Sequence, residues 1–317
     1  MQSSQAQPRH LFWRRQYDER RYARHLSQPE LNARIRDIFL NLLRVTHGGK
    51  IGFFPIDAAV AGWLEKFTHM LEEMQLRYGP YPSGFTREIF HSEPFPAFAS
   101  DLADKAGKAM SSNGLSGGDA LIKFGKRRYM EALYETGALR IQPASYFLEK
   151  DHNGAVRDDE LSLSFSVALS RDDILKLVVN KQDVPDDAHD QRVDVRLGWP
   201  NDYWLYCVTK SIEARLFVDF DADACVIIRD RAAFKKMLRL ASEHRLGGAT
   251  MKEGDAIYLD PVLPTSVDIF LPLVKHFRYS YQNEIRFYWL PPNPIRKVAH
   301  IDICIGNLRE IAELVIL

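Results

Sequence analysis

The chain has 317 residues, with 42 Lys plus Arg against 42 Asp plus Glu, a formal net charge of zero and a pI near 7.2, so no global field draws it to polyanions and any nucleic-acid contact has to be a local patch. Hydrophobic residues make up 46% and charged residues 26%, the balance of a globular protein, and no apolar run approaches the roughly 20 residues of a membrane span. The opening MQSSQAQPRHLFWRR lacks an apolar signal core, and Cys207, Cys225 and Cys304, odd in number and each in an apolar stretch, read as reduced core thiols, so the expectation is a cytoplasmic protein without membrane contact.

Residues 1–28 are polar, with Arg14, Arg15, Arg20, Arg21 and Arg24 close together. They read either as a solvated helix face tempered by Asp18 and Glu19, or as a basic arm for nucleic acid or a partner. The SQPE run at 27–30 is a capping box with an early proline. Leu31, Ile35, Ile38, Phe39, Leu42 and Leu43 follow at helical spacing up to Gly48-Gly49. Val60, Leu64, Phe67 and Leu71 form the stripe of a second helix from Asp57 to Tyr78, and a third is expected over 96–110. The run SSNGLSGG at 111–118 has linker composition. It divides the chain into a helical part, 1–115, and a second part, 116–317.

After the linker, Leu121–Phe124 reads as a strand, Lys126–Thr136 as a helix closed by Gly137, and Leu139 opens another strand. Apolar residues and serines alternate from Leu161 to Leu169, the period of a half-buried strand. Further strands are expected at 192–197, 203–209, 224–229, 255–259, 284–290 and 299–305, and helices at 171–179, 230–243 and 266–276. Strands outnumber helices and clean βαβ repetition is missing. The class is therefore α+β, a helical N-terminal segment followed by a mixed or antiparallel β-core with flanking helices.

Several chemistries find no motif. There is no GxGxxG after a strand, no GxxxxGK[ST], HExxH, CxxC or GxSxG, and the ten histidines show no ligand spacing. The informative stretch is KHFRYSYQNEIRFYW at 275–289. Strand spacing puts Gln282, Glu284 and Arg286 on one face, preceded by Tyr279 and Tyr281. A carboxylate, an amide, a guanidinium and aromatics on one surface suit a ligand with a sugar, a ring and phosphates. An ordinary Glu284–Arg286 surface pair at a strand end fits the same letters.

The region 119–317 resembles an uncharacterised bacterial domain family. The resemblance rests on LIKFGKRRYMEALYETGALRI at 121–141, Tyr146-Phe147, Arg157 to Glu160, ACVIIRD at 224–230, YQNEIR at 281–286 and Ile305-Gly306. The same elements look like the ADP-ribosyltransferase superfamily, whose split mixed-β core binds NAD. That resemblance implies Glu284 as the catalytic carboxylate and Gln282 as the residue that orients or deprotonates the acceptor. It implies Lys123 on the pyrophosphate, Tyr206 or Thr209 from the middle strand, and Tyr281 and Arg286 around the nucleotide. Lys123 departs from the usual Arg or His, and the YCVT run at 206–209 matches the Ser-Thr-Ser element only in part. The implied function is transfer of ADP-ribose from NAD to a macromolecular acceptor, protein or nucleic acid, as in a bacterial toxin or antiviral-defence effector. A non-catalytic nucleotide- or partner-binding module and a nucleic-acid binder acting through the basic N-terminal helix stand as alternatives. Arg157 to Glu160 also contains an acidic run, Asp158-Asp159-Glu160, expected as a solvated loop, with contact to ligand or acceptor as the alternative. The helical third is open to regulating the site, recognising the acceptor or binding a regulatory protein.

Overall fold

A computed structural model describes residues 8–46, 48–79, 98, 100–112, 119–149, 154–169, 191–263 and 269–317. The chain opens with α1 (Arg9–Arg20), α2 (Gln28–Leu42), a short hairpin of β1 (Leu43–Val45) and β2 (Ile51–Phe53), α3 (Ala58–Tyr78) and α4 (Asp101–Ser112). The capping box forms: the Ser27 N–H and hydroxyl both donate to Glu30. Asp57 caps α3 by accepting from the Val60 N–H at 2.8 Å. The hairpin corrects the expected end of α2. Leu43 leaves the helix for an extended conformation, and the Gly48-Gly49 pair serves the hairpin turn.

The strand-rich part runs β3 (Leu121–Gly125), α5 (Arg127–Thr136), β4 (Ala138–Pro143), a 3-10 turn (Ala144–Leu148), β5 (Ser162–Leu169), β6 (Gln191–Gly198), β7 (Trp204–Thr209), α6 (Ala214–Asp219), β8 (Ala224–Ile228) and α7 (Arg231–Arg245). It continues with β9 (Met251–Asp255), β10 (Ile257–Leu259), β11 (Val274–His276), a 3-10 helix (Phe277–Gln282), β12 (Glu284–Trp289), β13 (Ile301–Cys304) and β14 (Ala312–Ile316). The class is α+β. The main sheet is antiparallel, and β10 with β11 forms a short parallel pair.

Besides the β1–β2 hairpin, other described elements differ from the expected ones. Of the helix expected at 266–276, residues 266–268 lie outside the described residues; the remainder holds a 3-10 turn at Leu271–Leu273 leading into β11, because Pro272 and the β-branched Val274 disfavour a continuous helix. The strands β9 and β14 and the helix α6 went unpredicted. Lys252, Glu253 and Gly254 give β9 no apolar alternation to recognise. The helix expected at 171–179 and most of the linker lie outside the described residues.

The layout of the main sheet places the site. Along one edge, β7 pairs with β12 over its whole length, from Thr209 opposite Glu284 to Trp204 opposite Trp289. Its other edge is shared: β3 pairs at Thr209, β4 at Leu205 and Trp204. The sheet therefore splits over Tyr206, Cys207 and Val208, with β3–β8–β14 diverging on one side and β4–β13 on the other. Among the described residues the Cys207 carbonyl accepts no strand bond on this edge and takes one from Lys123 Nζ at 2.7 Å instead.

Apolar clusters lock the halves together. Trp289, Phe287, Phe234 and Leu238 are fully buried under α7, and Trp289 Nε1 donates to Ser242 Oγ. A second cluster joins Leu43, Ala103, Ala106 and Met110 to Ile122, Phe124, Phe217 and Ile227, so one core crosses the 115/116 boundary. Polar contacts cross it too. Arg34 forks onto Asp260 at 2.6 and 2.9 Å, with Lys66 Nζ 2.7 Å from the same carboxylate. Asn41 donates to the Phe277 and Arg278 carbonyls and accepts from the Ser280 hydroxyl and the Tyr281 N–H. Thus α2 clamps the 3-10 segment that leads into β12. The N-terminal arginines are engaged as well: Arg14 pairs with Glu72 and Arg21 with Glu73 on α3. Among the described residues no helix is long and apolar enough to cross a membrane.

Two expected results follow from this framework. Gly137 ends α5 at φ +68°, and a Cβ there would fall onto the Gly306 carbonyl oxygen. Gly137→Ala combines left-handed strain with a backbone clash and should lower stability by about 1–3 kcal/mol, read as a shifted urea midpoint. The second concerns acid. Burial, reinforced by Arg34 and Lys66 for His69 and by Arg278 for His276, lowers both imidazoles from 6.5 to about 4. Their folded-state pKa is depressed, so the stability of the neutral form is complete above about 6.5 and is lost as pH falls towards 4. Each contributes a slope of up to about 1.4 kcal/mol per pH unit in that window. Unfolding curves across it should flatten by one proton's share in His276→Asn; an unchanged slope would exclude a buried neutral His276.

Candidate functional site

The split in the sheet opens a cavity of about 230 Å³. Lys123 comes from β3, Tyr206, Cys207 and Thr209 from β7, Lys275 from β11 and Glu284 from β12. These side chains converge because β7 carries β12 on one edge and shares the other between β3 and β4. Glu160 closes the cavity from the loop before β5. A wider groove of about 1060 Å³ shares Lys123, Tyr206, Arg140 and Gln142 with it, and so continues from it.

Glu284 is 6% exposed. Lys275 Nζ lies 2.7 Å from its Oε1 and Arg286 Nε 3.3 Å from its Oε2. Burial works against its charge, yet Lys275 and Arg286 outweigh burial and hold the carboxyl below its ordinary value. Glu284 is therefore ionised, at the first residue of β12, with its backbone N–H bound to the Tyr258 hydroxyl. Gln282 lies beneath it. Its Oε1 accepts from the same Lys275 Nζ at 2.8 Å, and its Nε2 donates to the Ala155 carbonyl. Lys275 thus bridges both residues of the Gln-x-Glu pair. Asn283 between them adopts a left-handed conformation at φ 45°, so Gln282 ends the 3-10 helix rather than beginning the strand.

Lys123 sits with Nζ 4.5 Å from the centre of the Tyr206 ring and makes no ion pair among the described residues. Burial lowers its pKa, opposed by Cys207 and Glu284. The Tyr206 hydroxyl is buried with no hydrogen-bond partner among the described residues. An ammonium held by one carbonyl and a ring, without a counter-ion among the described residues and next to an unsatisfied hydroxyl, is costly unless a ligand completes the pair. Thr209 donates to the Gln282 carbonyl and accepts from the Ser211 N–H, tying β7 to the segment before Glu284.

Arg286 and Tyr281 occupy a different level. Arg286 is fully buried; it forks onto Glu160 at 2.7 and 3.0 Å and donates to the Pro272 and Val274 carbonyls. With those donors engaged it supports the cavity from beneath. Tyr281 stacks on Arg215, 3.4 Å from the guanidinium to the ring centre, within the cluster of Phe217 and Ala214. Two expectations are corrected here. The Glu284–Arg286 pair lies in the interior. The Asp158-Asp159-Glu160 run is likewise no solvated loop: Glu160 is buried on Arg286, and burial with Glu160 pushes the half-buried Asp158 up to about 6. The reason is charge compensation. Two buried cations, Lys275 and Arg286, require carboxylates beside them.

Sequence reasoning assigns Lys275 no role, and Glu160 stands out there only as part of an acidic run. Lys275 opens the very stretch that drew attention, but its partners are set by the parallel pairing of β10 with β11, which no local pattern encodes.

No family model, curated protein or solved structure matches this chain. What it does therefore has to be argued from its own residues. Among those described, no group of three or more His, Cys, Asp or Glu residues is arranged to hold a metal ion.

Proposed function

We propose that the chain is an ADP-ribosyltransferase that uses NAD as substrate, with Glu284 as its catalytic carboxylate and a core of the ADP-ribosyltransferase type. The observation that carries this reading is the divided edge of β7. It brings Lys123, Tyr206 with Thr209, and Glu284 from three separate strands to one cavity.

The chemistry fits these groups. Breaking the nicotinamide–ribose bond sends its electron pair to nicotinamide and builds positive charge on the ribose. An ionised carboxylate fixed beside that carbon stabilises the charge, and the bond to the acceptor then forms as the acceptor loses its proton. Lys275 and Arg286 each occupy one side of the Glu284 carboxylate, which leaves lone pairs for a ribose hydroxyl. Lys123 supplies a point charge for the pyrophosphate. The Tyr206 ring offers a face for stacking and its hydroxyl a donor.

One observation favours a second reading. The Lys275 ammonium largely cancels the Glu284 charge at 2.7 Å, which suits a module that holds a nucleotide without chemistry. Incubating the protein with labelled NAD and a bacterial extract separates the two. Free nicotinamide with label on a macromolecule supports the transferase; binding of NAD without nicotinamide release supports the module.

A further inference from the structure

The wide groove beside the cavity carries groups, beyond the shared Lys123 and Tyr206, that the NAD reading does not use. It is lined by α5, β4, the C-terminal end of α7 and β13, and it opens to solvent at Tyr129, which is 56% exposed, and Leu240, which is 64% exposed. Arg140, His244 and Arg245 line it together with Lys123, and Asp302 is the one carboxylate among its lining residues. Asp302 is taken up by Arg140, which forks onto it at 2.7 and 3.0 Å. Arg245 and His244, both exposed, make no ion pair among the described residues. Beside the mouth, the Arg128 guanidinium lies 4.6 Å from the centre of the Tyr129 ring and donates to its hydroxyl at 2.9 Å, an exposed cation–ring contact. Further in lie the half-buried Tyr146 and, at the junction with the cavity, the buried Tyr206 under Lys123.

The charge balance is informative because the chain as a whole is neutral. A local excess of cations beside the exposed Tyr129 ring and the half-buried Tyr146 ring is unrelated to net charge. Cations alone would suit any anion, and rings alone any apolar chain. Cations and a solvent-facing ring together in an open groove suit a polymer that repeats a phosphate and a flat base, with the bases unpaired so that their faces are free to stack. A folded acidic protein would have no use for the stacking faces. Duplex DNA would hide its bases and meet the phosphate contacts alone.

From this geometry we infer that the groove binds single-stranded nucleic acid and leads it to the cavity at Lys123 and Tyr206. The inference rests on the transferase reading only in making that strand the acceptor of ADP-ribose. The acceptor atom then attacks the ribose carbon, nicotinamide leaves with the bonding electrons, and the acceptor's proton passes to solvent.

The test is fluorescence anisotropy of the full chain with a short labelled oligothymidylate or oligouridylate, beside the same sequences as duplexes. NAD cleavage is assayed in parallel. Single strands are expected to bind and to weaken with added salt. Tyr129→Ala should weaken binding at least about 5-fold through the lost stacking, and Arg245→Glu should weaken it and flatten the salt dependence. Both side chains are exposed, so neither variant threatens the fold. Absence of oligonucleotide binding, equal binding of duplex, binding unmoved by both variants, or ADP-ribose label confined to protein would each overturn the inference; with nicotinamide still released, the transferase reading stands. Single-strand binding lost in the two variants, without nicotinamide release, keeps the groove assignment and sinks the transferase instead.

Discussion

Arg286→Met is expected to lower stability by about 3–5 kcal/mol, because it strands the Glu160 carboxylate in the interior and removes one of the two cations on Glu284. Against a typical total of about 5–15 kcal/mol, that loss brings the chain close to unfolding. The cost comes from the charge left behind, so it should shrink when the partner is removed as well. Arg286→Met combined with Glu160→Leu should regain part of the loss, since a buried ion pair replaced by apolar groups of similar size is often near neutral. Urea midpoints of the two single variants and the double variant form a cycle that isolates the coupling. Additive single losses would mean that Glu160 and Arg286 do not share a site, and the support beneath the cavity would have to be redrawn.

Glu284→Gln should cut nicotinamide release at least about 100-fold, the scale of losing one electrostatic stabiliser of a transition state. The amide keeps the shape and can still accept from Lys275, but it carries no charge to set against the ribose cation. The fall should appear in kcat with KM little changed, since the carboxylate acts on charge that develops only during reaction. Leaving Lys275 without its counter-charge also costs stability, by about 1–3 kcal/mol. Activity is therefore compared at a temperature where both proteins give the same folded baseline. Glu284→Asp is the companion: it restores the charge one methylene short, and its activity should lie between the two. Release that persists undiminished in Glu284→Gln would remove Glu284 from the chemistry and leave the Gln282–Lys275–Glu284 cluster as a structural unit.

The sequence by itself determined the elements with strong local signals. The SQPE cap, the extent of α3, the αL glycine at Gly137 and the alternation of β5 each follow from interactions within a few residues, so periodicity and capping suffice to read them, whereas the buried face of α3 carries Met70 and Met74 in place of the expected Leu64 and Leu71. It also singled out the stretch containing Gln282 and Glu284, because polar residues crowded into an aromatic strand start are out of place unless something compensates them. Only the tertiary structure decided what that compensation is. Lys275 on β11 meets Glu284 at the start of β12 across the intervening 3-10 helix, Glu160 reaches Arg286 across 126 positions, and Asn41 clamps the 3-10 segment from 236 positions away. These partners are fixed by which strand edges meet, and edge pairing depends on the whole chain. The same reason kept the divided edge of β7 out of view: a strand's own letters record which of its faces is buried, and carry no mark of whether one neighbour or two lie along its side.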